Sequence, residues 1–158
     1  MLRDQSLIPL SRQHQHALAL CVRIRRALEK PGVEIATWQA EMVQAFEQEI
    51  SVHFQAEEKI LFPLAANFDS TRALVEELLR EHVALRGFYE RAAGSMLNQD
   101  GLLQFAQLLS GHVRKEERQL FEELQRLLPS ERLAALGAEL ERALTGAAPG
   151  CALRPRPE

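Results

Sequence analysis

Two segments of this sequence repeat one chemical pattern, His53-x3-Glu57 and His112-x3-Glu116. Four residues advance an α-helix by about 400°, so each pair presents both side chains on one face. An imidazole beside a carboxylate is either a solvated pair or part of a metal site, and the neighbouring residues decide which. Phe46, Ile50, Ile60 and Leu64 flank the first pair at steps of three and four, and Phe105, Leu109 and Leu120 flank the second. Two single histidines lie on similar stripes. His14 falls in register with Leu10, Ala17, Cys21, Ile24 and Leu28, and His82 with Val75, Leu78, Leu85 and Tyr89. All six polar residues therefore face a core. Burying a carboxylate without a partner costs several kcal/mol, and a strong cation offsets that cost.

The donor set narrows the cation. Imidazole and carboxylate without thiolate suit iron, manganese or zinc. Four histidines and two glutamates exceed one tetrahedral zinc and suit two octahedral ions that share carboxylates. Glu57 and Glu116 are the expected bridges, with His14, His53, His82 and His112 as terminal ligands. A single zinc or manganese ion is the chemical alternative. His16 lies about 200° from His14 and is expected on the surface. Glu58 and Glu117 lie about 100° from their neighbours; Glu58 reads as a solvated charge, and Glu116 fits the seam better than Glu117. Cys21 reads as a small buried hydrophobe. Tyr89 reads as a core tyrosine whose hydroxyl reaches solvent.

The elements that must position these residues are helical. Leu, Ala, Glu, Gln and Arg dominate, and runs of β-branched residues are absent. Breakers divide the chain into helices over about 11–29, 35–62, 69–94, 100–128 and 130–145, with Pro63 ending or kinking the second. Asp69 or Ser70 is the expected cap of the third and Asp100 that of the fourth. Four long helices with short connections predict an all-α, up-down-up-down four-helix bundle, with a short fifth C-terminal helix over one end or flank. One domain over 1–146 and a disordered tail over 147–158, rich in Pro, Arg, Gly and Ala, are expected.

Composition excludes several classes. A net charge of −3 gives no electrostatic case for nucleic acid or an anionic membrane. No apolar run approaches the ~20 residues that span a bilayer. The N-terminal residues show no signal-peptide pattern, and the two cysteines form no CxxC pair, so a cytoplasmic protein with reduced thiols is expected.

The segments Leu10-Ser-Arg-Gln-His14, His53-Phe-Gln-Ala-Glu57-Glu58-Lys-Ile-Leu-Phe-Pro63, Arg80-Glu-His82 and His112-Val-Arg-Lys-Glu116-Glu117-Arg-Gln-Leu-Phe121 resemble the hemerythrin-like, or HHE cation-binding, domain. The resemblance spans roughly residues 5–130. It implies two iron ions with an oxo or hydroxo bridge, held by His14, His53, Glu57, His82, His112 and Glu116. It also implies a partner such as dioxygen, another diatomic molecule or peroxide. The oxygen-carrying members have a second histidine one turn away in the third helix, where this chain has Leu78 and Arg86. They also place an aspartate five residues after the fourth-helix histidine. One ion is thus expected to have an open position beside His82, which favours sensing or redox chemistry over oxygen carriage. A di-iron enzyme acting on peroxide or nitrogen oxides, and an iron store or regulator, are the alternative readings.

Overall fold

The computed structural model describes residues 2–146. The expected tail, with Cys151, Arg154 and Arg156, lies outside the described residues. Among the described residues there are five helices and no strand. A 3₁₀ turn, Gln5–Leu7, leads into α1 (Ile8–Leu28). The second helix, α2, spans 35–65 and is followed by α3 (Asp69–Ala93). Helix α4 spans 99–127, and α5 is Ser130–Thr145. No helix among the described residues is long and apolar enough to cross a membrane.

The ends differ from the sequence expectations for local reasons. Helix α1 begins three residues before Ser11, because Pro9 sits in its first turn, where no N–H is needed. Asp69 is the first residue of α3 and does not cap it. The cap of α4 is Asn98, whose Oδ1 accepts from the Gly101 N–H at 2.8 Å, and Asp100 lies inside the first turn. Helix α2 runs through Pro63 to Ala65.

Three turns in the long helices are π-helical: Phe46–Ile50 and Glu57–Leu61 in α2, and Glu116–Leu120 in α4. In each, an N–H bonds to the carbonyl five residues back, as Phe62 does to Glu57 and Phe121 to Glu116. One extra residue fits into such a turn, so the side chains that follow are displaced around the axis by about 100°. The effect corrects the apolar stripe of α2. Ile60 and Leu64, expected in the core, are only half-buried, and Leu61, Phe62 and Ala65 are buried in their place.

The core has two apolar halves with the six polar residues between them. One half joins Ala17, Cys21 and Ile24 of α1 to Phe46 and Phe54 of α2, Leu85 of α3, and Phe105 and Leu109 of α4. The other joins Leu10, Leu61, Leu78 and Phe121 to Leu133, Leu136 and Leu140 of α5. Helix α5 thus covers the second half, over the N-terminal turn and the middle of α2. The contact is close at Gly137, where an added Cβ would lie 2.7 Å from the Ser6 Cα.

Polar contacts along the helix seams step in opposite senses along the two partners. Between α1 and α2 they pair Gln13 with His53, His16 with Glu49 and Arg23 with Glu41. Between α2 and α3 they pair Glu47 with Tyr89 and Glu58 with Arg86.

Candidate metal centre

His14, His53, Glu57, His82, His112 and Glu116 are all buried, and the structure brings all six together. Their donor atoms form two groups. His14 and His53 stand with both glutamates in one, and His82 and His112 with the same two glutamates in the other. Within each group the donor atoms lie within 4.8 Å of one another.

Each carboxylate divides its oxygens between the groups. Glu57 places Oε1 at 3.0 Å from His53 Nε2 and 3.7 Å from His14 Nε2, and Oε2 at 3.3 Å from His82 Nε2. Glu116 places Oε2 at 3.1 Å from His14 Nε2 and Oε1 at 3.3 Å from His112 Nε2. Both glutamates open a π-turn, a distortion common at functional sites.

The imidazoles are held from behind by four residues that form a closed ring around the bundle. Gln13 of α1 accepts from His53 Nδ1 of α2 at 2.7 Å. Glu58 of α2 accepts from His82 Nδ1 of α3 at 2.8 Å. Glu81 of α3 accepts from His112 Nδ1 of α4 at 3.0 Å, and Glu117 of α4 from His14 Nδ1 of α1 at 2.7 Å. With each Nδ1 donating outward, each Nε2 turns a lone pair inward. The inward nitrogens then face one another in pairs, His14 and His53 at 2.9 Å, His82 and His112 at 3.1 Å.

Two phenylalanines press on these rings. Phe54 stacks on His82 at 3.7 Å, with the Arg86 guanidinium over its ring. Phe121 stacks on His14 at 5.5 Å, with Arg3 over its ring.

These donors fit a cation. All four oxygens of Glu57 and Glu116 are buried, and none receives a well-directed hydrogen bond, although imidazole nitrogens approach closely. Buried carboxylate oxygens ordinarily find partners. A cation between the facing nitrogens would satisfy oxygen and nitrogen lone pairs together. Without one, protons must fill the role. Burial draws His112 down, but Glu116, Glu81 and Glu57 outweigh it and raise its pKa to about 10. Burial likewise opposes charge on His14, and Glu116, Glu117 and Glu57 raise it well above its ordinary value. Burial pushes Glu57 up, yet the charge of His53 and the nearby His14 and His82 hold it well below the usual carboxylate range.

A cavity of about 10 Å³, the space of one water molecule, adjoins His14, His53 and His112. Its other walls are mostly apolar, Ala17, Ile50, Phe54, Leu109 and Val113, with Gln13 and Glu49 completing it. His82 does not line it. The cavity meets the His82 half of the cluster only at His112. Of the two residues one turn from His82, Leu78 is buried in the apolar core and Arg86 pairs with Glu58.

His16 is exposed as expected and pairs with Glu49. Glu116 faces the centre, and Glu117 stands behind His14. Burial pushes the Cys21 thiol up to about 12, so it stays protonated. Tyr89 donates to Glu47 at the surface and does not reach the site. Glu58 is no solvated charge: it braces His82. The sequence reading also missed Gln13, Glu81 and Glu117 as braces. Each of the four is the immediate neighbour of an inward residue. An offset of about 100° reaches the adjoining helix of a bundle before it reaches solvent, and that was the available signal.

The helices and the buried histidine–carboxylate cluster together define a class, helical proteins built to hold a cation inside the bundle. The chain belongs to the Hemerythrin HHE cation binding domain family, whose model matches residues 9–124. Membership implies a cation- or iron-binding protein. Comparison with curated proteins and with solved structures gives no match.

Proposed function

We propose that the chain holds two iron ions and uses them to bind or sense dioxygen or a related small redox molecule. His14 and His53 would ligate one ion and His82 and His112 the other, with Glu57 and Glu116 shared between them. The observation that carries this reading is the set of four buried carboxylate oxygens without hydrogen bonds, set between four inward-facing imidazole nitrogens. A di-iron pair with an oxo or hydroxo bridge, when bound, would supply reversible one-electron chemistry and an affinity for diatomic or peroxide ligands. The protein's residues supply the rest. The ring of Nδ1 acceptors fixes each imidazole in the ligating tautomer. Phe54 and Phe121 exclude water from the sides of the cluster. The cavity beside His14, His53 and His112 offers a small ligand the space of about one water molecule and mostly apolar walls.

The up-down-up-down order of the four long helices belongs to the same reading, supported by seam contacts that step in opposite senses. So does a cytoplasmic setting, which cell fractionation checks. A second reading, a di-iron enzyme that reduces peroxide or nitrogen oxides, draws support from α3, which gives the centre His82 alone where oxygen carriers have two histidines. Zinc or manganese in place of iron is distinguished by the same experiment. The protein is expressed with iron and purified with and without air, and its metal content and optical spectrum are recorded. About two irons per chain and a spectrum that changes with oxygen, nitric oxide or peroxide are expected. A folded protein with no iron, or iron indifferent to all three, would sink the proposal.

A further inference from the structure

The ring behind the imidazoles is closed but not uniform. Three of its four members are carboxylates, and each has a cation behind it. Glu117 pairs with Arg3 at 2.7 Å, Glu58 pairs with Arg86 at 2.7 Å, and Glu81 pairs with Lys115. The fourth member is Gln13, a neutral amide, whose Oε1 accepts from His53 Nδ1. A carboxylate acceptor draws the Nδ1 proton more strongly than an amide does and so makes the opposite nitrogen a better donor. His53 is therefore the weakest of the four donors. The cavity meets both imidazoles of its half, His14 and His53, and only His112 of the other half, and Gln13 lines that cavity as well.

We propose that Gln13 is a positioning residue that makes the two halves of the centre unequal, so that the ion held by His14 and His53 is bound more weakly than its neighbour and lies at the more positive potential. The inference rests on the two-ion reading above. The neutral brace puts the more electrophilic ion next to the space where an outside ligand enters.

The test uses the full chain, titrated with Co²⁺ alone by calorimetry, and the iron-loaded chain for midpoint potentials. The unmodified protein is expected to bind two Co²⁺ in two steps, about 10–100-fold apart in affinity. Gln13→Glu should raise the weaker step towards the stronger and lower the more positive midpoint. Gln13→Met, of similar size but without an acceptor, should weaken the same step by about 10-fold. Glu58→Gln should weaken the stronger step and leave the weaker one in place. Circular dichroism establishes that each variant is folded. Two ions binding in one indistinguishable step would overturn the inference and leave the two-ion reading standing. So would folded Gln13 variants that move neither the weak step nor either midpoint. A protein that binds no Co²⁺ would overturn both.

Discussion

His112 sits in full burial between Glu116 on its inner nitrogen and Glu81 on its outer one. In the metal-free protein these carboxylates hold its proton up to a pKa of about 10, against an ordinary value of 6.5. The folded state thus binds this proton more tightly than the unfolded state does. The stabilisation is complete below pH ~6.5 and is lost as the pH rises through about 10. The metal-free protein should melt at progressively lower temperature across that window. A melting temperature that stays level from pH 6.5 to 10 would contradict this assignment. Cations compete for the same nitrogen, so loading should release protons, measurable as a buffer-dependent heat of binding. The six inward residues were legible in the sequence because burying a charge on an apolar stripe is costly and therefore conspicuous. The braces left only their adjacency to inward residues as a signal, because Gln13, Glu58, Glu81 and Glu117 otherwise look like the ordinary polar flank of an amphipathic helix. Only the packing of a neighbouring helix turns that flank into an interface.

The π-turns of α2 and α4 show how much an element can adjust to a site. Periodicity assumes a constant 3.6 residues per turn, and the expected stripe of α2 matches the buried face from Phe46 to Glu57 and runs one residue out of register after it. A first π-turn lies upstream at Phe46–Ile50, but the stripe departs from expectation only at the second, which opens on the residue that faces the centre. Removing the surplus residue should therefore separate helix from site. Deletion of the exposed Lys59 should let the turn close as ordinary α-helix and keep Leu61, Phe62 and Ala65 in the core. The carboxylate of Glu57 would be displaced. The expected outcome is a helical, folded protein whose cation affinity falls by at least about 10-fold. Unchanged affinity would show that the widened turn does not set the carboxylate. Helix α5 makes a different demand. It meets the N-terminal turn through Gly137, where a Cβ would press on the Ser6 backbone. Gly137→Ala should cost about 1–3 kcal/mol, read by urea unfolding. A variant as stable as the parent would mean that α5 shifts freely. The sequence signalled the existence of α5 and its covering role. The close approach at one glycine is a property of the docked pair and leaves no mark on periodicity.

At the scale of the whole molecule, the charged cluster lies between two apolar halves, one of them covered by α5, a helix outside the family-matched residues 9–124. The free space beside the cluster that His14, His53 and His112 line is about 10 Å³. If the cluster holds ions as proposed, so small a space would act as a size filter in time as well as in space. A chelator would have to wait until helices part. Retention would then be governed by how often the bundle opens, and only secondarily by equilibrium affinity. Leu136→Ala in α5 touches no donor, and it should cost about 2–5 kcal/mol of stability. It should also speed the stripping of cations by a strong chelator, with the rate independent of chelator concentration once opening limits it. A stripping rate that rises in proportion to chelator would mean that the ions leave by another path. The cell would then have to load such a protein while it folds, and the loaded molecule would keep its metal through long spells of scarcity.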